Sequence, residues 1–305
     1  VKKQGPAGLS LSAVMASQRA ATSKVRTAIG AMAGLLRWRY LFWLPPTLSG
    51  IIIISPGYFM NALEKKIRKI IHRNYGARSR LKVYRRLGLV LLLNYANYID
   101  RRLIIKEPYE QEQLAFFKAS LQQGNFDLFV DVGANIGLYS LLAAGSGKVA
   151  DILAFEPDLR NNYQFRANIL LNDFVNLIQV RDVGLSNETG GVEFLQQQGS
   201  STGKSRIGKT APVTTKAKDY RKITIPISRF DDDFQYQGRH IFVKMDVEGH
   251  ELLALQGMER LLAENSCLLQ VEVFAENLAA VEELMTGQGY SKFQEIGDDR
   301  FFKNF

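Results

Sequence analysis

The stretch Asp131-Val132-Gly133-Ala134-Asn135-Ile136-Gly137 follows the apolar run Leu128-Phe129-Val130 and leads into a second apolar run, Ile136 to Ala143. The pattern predicts a buried strand, a glycine turn and the first turn of a helix. Backbone N–H groups at such a turn and at a helix N-terminus can approach a polar ligand closely. Gly133 and Gly137 permit positive φ and present no Cβ to that ligand. Asn135 stands where a dinucleotide fingerprint has its middle glycine. No lysine follows where a phosphate-cradling G-x-x-x-x-G-K-[ST] loop requires one. With Asp131 at the strand tip, the spacing suits a ligand with a cationic amino-acid part. Taken alone, the turn also fits any tight strand–helix junction in an α/β domain.

A second acidic residue narrows the reading. Val149 to Phe155 reads as the next strand, and Glu156-Pro157 ends it. Glu156 lies 23 positions after Gly133, the spacing at which a βαβ unit places an acid on the ribose hydroxyls of its ligand. A carboxylate accepts from two O–H groups at once, and Pro157 stops the strand where the ligand would lie.

From about residue 100 onward, strands alternate with helices, which predicts a parallel α/β sheet. Strands are expected at 127–131, 151–156, 176–181, 223–228, 241–246 and 268–274, with two more at the C-terminus. Helices are expected near 111–121, 137–145 and 159–171. Residues 196–222, rich in Gly, Ser, Thr, Gln and Lys, read as a long functional loop. Ile241 to Met245 is apolar apart from Lys244, and Asp246 ends the run. Open α/β sheets bind their ligands at the carboxyl ends of the strands, where Asp246 would sit. Asp246, Glu248 and Glu251 fall within six residues, a cluster that favours a cation, a bound hydroxyl or a helix N-terminus. Glu272, inside an otherwise apolar strand, is expected to point into a site or to pair with a basic group.

Composition limits the remaining choices. The chain has 305 residues, 46% of them hydrophobic and 23% charged, within the globular range. A single cysteine, Cys267, excludes an internal disulfide and suits a reducing, cytoplasmic setting. Three histidines and no Cys/His cluster argue against a metal site. Charge divides the chain: residues 1–106 hold 20 Lys/Arg and 2 Asp/Glu, residues 107–305 hold 19 and 28. Residues 1–80 read as a basic extension with two amphipathic helical stretches and the aromatic group Trp38, Tyr40, Phe42 and Trp43. Such an extension suits a cap on the body, a targeting segment, or attachment to an anionic membrane surface. Pro45-Pro46 interrupts its apolar run before the roughly 20 residues that a membrane span needs. It carries no aromatic–basic RNA-binding signature, which disfavours a nucleic-acid partner.

Taken together, DVGANIGLYS, then AFEPD, then KMDVEGHE followed by LLQVE, resemble the FkbM-type family of S-adenosylmethionine (SAM)-dependent methyltransferases. The resemblance covers roughly residues 105–305 and leaves 1–80 without a counterpart, so the domain is expected to span 81–305. It implies a Rossmann-like seven-stranded sheet with the last strand antiparallel. It also implies O-methylation of a hydroxyl on a sugar, glycolipid or secondary metabolite, with a small-molecule or glycan acceptor. By position, Asp131, Gly133, Asn135 and Gly137 would hold the methionine end of SAM, Glu156 the ribose, and Asp182 the adenine amino group. Lys244, Asp246, Glu248, Gly249 and Glu251 would form the second signature at the methyl-transfer face, with Asp246 or His250 as the base and Glu272 orienting Lys244 or the acceptor. Gly184 departs from the alanine expected there. Two competing readings remain: an RNA methyltransferase using the basic front, and a non-catalytic, membrane-associated SAM-binding module.

Overall fold

The computed structural model describes residues 81–198, 205–208 and 220–305. The expectations for residues 1–80 lie outside the described residues, as does much of the 196–222 stretch. No helix among the described residues is long and apolar enough to cross a membrane.

The described chain begins with a hairpin, β1 (Leu81–Arg86) and β2 (Leu89–Asn94), closed by Leu87-Gly88. Leu89, Leu91 and Leu93 of β2 are buried at alternate positions, the period of a half-buried strand. Helix α1 (Tyr98–Ile105) starts at Asn97, whose side chain accepts from the Ile99 N–H at 3.0 Å. Helix α2 (Gln111–Gln123) then leads into β3 (Phe126–Val132).

Four expected elements follow with small changes of boundary: α3 (Leu138–Ser146), β4 (Val149–Phe155), α4 (Leu159–Leu171) and β5 (Ile178–Arg181). Next come β6 (Gly184–Leu185), β7 (Gly190–Gln197), β8 (Arg206–Ile207) and β9 (Tyr220–Ser228). A short α5 (Phe230–Asp233) precedes β10 (His240–Met245), α6 (Glu251–Gln256) and α7 (Glu259–Glu264). The chain closes with β11 (Ser266–Glu272), α8 (Leu278–Gly287), β12 (Ser291–Ile296) and β13 (Asp299–Lys303).

Seven strands form the main sheet in the order β12-β13-β11-β10-β3-β4-β5. β5, β4, β3, β10 and β11 run parallel, and β13 runs antiparallel to both β11 and β12. The last strand is therefore antiparallel, as the resemblance implied, and it lies one place in from the edge. A separate four-stranded sheet, β6-β9-β7-β8, is built from residues between β5 and β10. The polar stretch read as one long loop thus contributes strand residues at both ends, because β7 and β9 pair in register from Gly190–Ile227 to Gln197–Tyr220.

Apolar clusters cover both faces of the main sheet, as a parallel sheet requires. One cluster joins Phe117, Phe129, Phe165 and the hairpin leucines. The other joins Phe155, Phe230, Met245, Leu255 and Val281. Phe117 meets Phe129 and Phe242 with ring centroids 5.2 Å apart, and burying each ring stabilises the fold by roughly 1.5–3 kcal/mol.

Two asparagines one turn apart on α4 serve as hydrogen-bond partners for the free side of β2. The Leu92 N–H donates to Asn168 Oδ1 at 2.7 Å, and the Val90 N–H donates to Asn172 Oδ1 at 2.9 Å. Asn168 Nδ2 also donates to the Ile136 carbonyl at 3.1 Å, so one buried amide ties the hairpin to the glycine turn. Replacement Asn168→Leu leaves a buried N–H and a buried carbonyl without partners. Equilibrium urea unfolding is expected to show a loss of about 2–4 kcal/mol; an unchanged midpoint would refute this bridging role.

Candidate active site

The two sequence signatures meet at the tips of β3 and β10. Lys244 pairs with Asp131 across the two strands, and the Asp246 N–H donates to the Val132 carbonyl at 2.9 Å. Beyond β3 the chain turns back toward β4: the Gly133 and Ala134 N–H groups both donate to the Phe155 carbonyl at 3.0 Å. A Cβ on Gly133 would lie 1.9 Å from the Asp246 carbonyl oxygen, and the backbone here has φ +79°. Only glycine permits that approach. Asn135 follows with φ +52°, a conformation asparagine tolerates better than most residues.

This turn separates two cavities. The larger is lined by Phe155, Glu156, Asn161 and Leu185, and also by His250 and Glu248. Phe194, Ser205 and Ile207, from β7, β8 and the residue before β8, close one side of it. The smaller is lined by Tyr109, Glu110, Asp131, Tyr139 and Lys244. Gly133, Asn135 and Asp246 line both cavities.

Glu156 is 5% exposed, and its carboxylate is held from both sides. Oε2 accepts from the Asn135 N–H at 2.8 Å and Oε1 from the Asp158 N–H at 2.8 Å. The Asn161 side chain also donates to this carboxylate, which leaves one lone pair free for a ligand hydroxyl. Burial pushes its pKa up to about 8, against the pull of these N–H donors. Nearby, Asp158 accepts from Arg160, from Gln196 Nε2 at 3.0 Å and from Ser205 Oγ at 3.4 Å. The second sheet is thereby joined to the loop that carries Glu156.

The smaller cavity is dominated by negative groups around one ammonium. Lys244 Nζ donates to Asp246 Oδ2 at 3.0 Å and lies 5.0 Å from the centroid of the Tyr139 ring. Its burial works against the charge, but Asp246, Glu110, Asp131 and Glu272 together hold it protonated, with a raised pKa. Asp131 accepts from the Ser140 N–H at 3.1 Å and from Ser140 Oγ at 2.6 Å. Glu110 accepts from the Tyr139 hydroxyl at 2.8 Å. Glu272 and Asp246 share a hydrogen bond. Burial and the Asp246 charge raise the Glu272 pKa, while burial of Asp246 is outweighed by Lys244, which lowers its pKa. The shared proton therefore sits on Glu272 and Asp246 is ionised.

His250 is 9% exposed, and its Nε2 lies 3.0 Å from Ser186 Oγ. Burial lowers its pKa, so the imidazole is neutral at pH 7. Glu251 turns away from the cavities, with Oε1 accepting from the Gly249 N–H at 2.7 Å.

Three expected site residues lie outside both linings. Gly137 lines neither cavity; a Cβ there would lie 1.9 Å from the Phe165 ring, so close packing against α4 and φ +83° explain its glycine. Asp182 follows the carboxyl end of β5, is exposed and lies outside both linings. Glu272 also lines neither cavity and acts through Asp246. At Gly184 a Cβ would meet Ile227 at an ordinary 3.5 Å, so glycine and alanine fit alike. Sequence reasoning missed Tyr109 and Glu110, which precede the glycine turn by more than 20 positions and belong to no local pattern. Tyr139 lay within the quoted motif without a role.

These features fit SAM. Several carboxylates around one ammonium accommodate a ligand bearing a sulfonium and an α-ammonium. Asn135 Oδ1 is buried with no partner and can accept from a ligand donor. Glu156 suits a ribose hydroxyl. Asp131, Asn135, Glu110 and Asp246 would hold the methionine end, and the backbone of Gly133 would lie against the sulfur.

A pH dependence follows. The raised pKa of Glu156 means that its contribution to stability in the ligand-free protein is full below its ordinary value of 4.5 and is lost as the pH rises to about 8. Hydroxyl donors bind the carboxylate form. Calorimetric affinity for S-adenosylhomocysteine is expected to rise with pH toward about 8 and then level off. Glu156→Gln is expected to bind about tenfold or more weakly with a flattened profile. An unchanged profile in the variant would remove Glu156 from this role.

Comparison with known proteins gives the family. The model of the methyltransferase FkbM domain matches residues 131–292. The chain is 28% identical over 188 residues to methyltransferase sdnD of Sordaria araneosa, covering 53% of this chain and 70% of that protein. It is 26% identical over 144 residues to methyltransferase 1 of Beauveria bassiana (strain ARSEF 2860), covering 43% of this chain and 57% of that protein. Among solved structures it is similar to methyltransferase FkbM from Methylobacillus flagellatus KT, with 20% identity and a TM-score of 0.42. That match covers 59% of this chain and 44% of the other. With its family match spanning both strand-tip signatures and with cavities suited to SAM, the chain belongs to the FkbM family of SAM-dependent methyltransferases.

Proposed function

We propose that the chain methylates a hydroxyl oxygen on a sugar, glycolipid or secondary metabolite. The observation that carries this reading is the pairing of an ionised Asp246 with a neutral, buried His250 in the lining of one cavity. A hydroxyl must lose its proton as its oxygen gains a methyl group, and both side chains can accept one.

SAM, when bound, supplies an activated methyl group on sulfur, which leaves as part of a neutral thioether after transfer. The protein's task is then to position the acceptor and receive its proton. Asp246 accepts the hydroxyl hydrogen bond and so directs an oxygen lone pair. Lys244 holds Asp246 ionised and stays protonated throughout, which makes it a positioning residue. Glu272 keeps its proton and fixes the other side of Asp246 by donating a hydrogen bond to it. His250, oriented by Ser186, receives the proton that the acceptor releases. Phe194 and Ile207 offer apolar contact and Ser205 a hydroxyl, a wall suited to a sugar-like or polyketide-like acceptor.

The Lys244, Asp246 and Glu272 set also bears on the RNA reading. A lysine serving as base needs a lowered pKa, whereas carboxylates raise that of Lys244. This favours Asp246 or His250 over Lys244 as the base.

Methyl-tritiated SAM offered with glycan, glycolipid, secondary-metabolite and RNA fractions tests the assignment. The label is expected in a non-nucleic fraction and should survive mild base, as an ether does. Ribonuclease-sensitive or base-labile label would count against it. Once an acceptor is in hand, His250→Ala and Asp246→Asn are expected to lower kcat by about 10²–10⁴. His250→Ala should leave S-adenosylhomocysteine affinity within about twofold, because its role lies in proton transfer.

A further inference from the structure

We infer that a second site, a cleft between the β1–β2 hairpin, the end of α1 and the start of α2, binds the phosphate headgroup of an amphiphile. The cleft is open to solvent and holds about 580 Å³ of accessible space. Four basic residues line it, Arg85, Arg86, Lys106 and Lys118, against one acidic residue, Glu107. Arg85, Lys106 and Lys118 are exposed and present their charges to solvent at the rim. Arg86 is anchored, donating from Nε to the Leu103 carbonyl at 2.7 Å and from a terminal nitrogen to the Ile104 carbonyl at 2.6 Å. Its guanidinium closes the C-terminus of α1 and adds fixed positive charge to the cleft wall.

The remaining lining is apolar. Leu103 and Leu114 are 5% and 7% exposed, while Leu87 is 45% exposed. Pro108, Tyr109 and Ala115 extend this surface. Leu87 occupies an unusual position: it and Gly88 form a two-residue hairpin turn with φ +54° and +83°. Asparagine or aspartate is favoured at the first place of such a turn, and a leucine there carries strain. A strained, exposed leucine beside an apolar wall beneath a cationic rim matches a ligand that is charged at one end and apolar at the other. A phosphate monoester accepts charge-assisted bonds from both Lys and Arg. This cleft is distinct from the two cavities at the strand tips, although Tyr109 lines both the cleft and the smaller cavity. The inference therefore stands whichever acceptor the chain methylates.

Calorimetry on the full chain tests it with two probes: dihexanoyl phosphatidic acid, kept below its micellar concentration, and inorganic phosphate. The lipid phosphate is expected to bind at least about tenfold more tightly than inorganic phosphate, reflecting the apolar wall. The double variant Lys106→Glu, Lys118→Glu should weaken lipid binding about tenfold or more. Leu87→Asn should weaken lipid binding while leaving inorganic phosphate unchanged, and it should raise the Tm because the turn strain is relieved. S-adenosylhomocysteine affinity is the control for folding and should stay at the wild-type value in all variants. Equal affinity for both probes, absent binding, or lipid binding that survives the charge reversal would each overturn the inference.

Discussion

Lys244 brings its ammonium into a space where Glu110, Asp131, Asp246 and Glu272 all act on it. Taking an ammonium out of water costs several kcal/mol unless partners restore the interaction, and here the restoring charge exceeds the single positive charge. That surplus governs much of the local architecture. Asp131 is steadied by Ser140 and Glu110 by Tyr139, and Glu272 keeps a proton that an isolated carboxyl would lose at neutral pH. The ligand-free site is thus short of positive charge, and a cationic methyl donor supplies what it lacks. Binding energy for the donor and the ionisation of Asp246 draw on the same electrostatic imbalance.

The glycine turn gives this arrangement its geometry. Gly133 brings the tip of β3 against the carbonyl of Asp246, so two segments more than 100 positions apart form one rigid edge. Parallel register between β3 and β10 sets Asp131 beside Lys244 without help from any loop. Reactive groups are therefore carried by the most deeply hydrogen-bonded part of the molecule, where small displacements are costly.

Much of this was legible in the sequence because the relevant signals are local. Asp131, Gly133 and Asn135 fall in one turn, Glu156 follows at βαβ spacing, and Lys244 and Asp246 end a single apolar strand. Strand and helix periodicity located α4 at its observed bounds. What escaped was non-local or ambiguous. Gly137 shares the motif, yet its missing side chain makes room for Phe165, and a glycine in sequence does not reveal which neighbour needs the space. Tyr109 and Glu110 reach the cavity only because α2 folds back onto the sheet. The place of β2 as a hairpin strand rests on Asn168 of α4 and on Asn172, its C-cap, both far along the chain. The 223–228 strand is legible as the end of β9, but the polar composition of the preceding stretch hides how β9 pairs with β7 outside the main sheet.

That second sheet has a consequence for how the chain can change. Its four strands hydrogen-bond to one another and to none of the seven that carry the donor-binding turn. Contact with the rest of the site runs through Leu185 of β6, buried in the apolar cluster with Phe155 and Met245, and through polar links, among them Gln196 and Ser205 to Asp158, and Ser186 to His250. Substitutions or length changes in this sheet alter the wall that an acceptor meets while leaving intact the strand register that holds the donor. The fold thus places the donor-binding turn and the β7–β8 wall of the larger cavity on separate sheets.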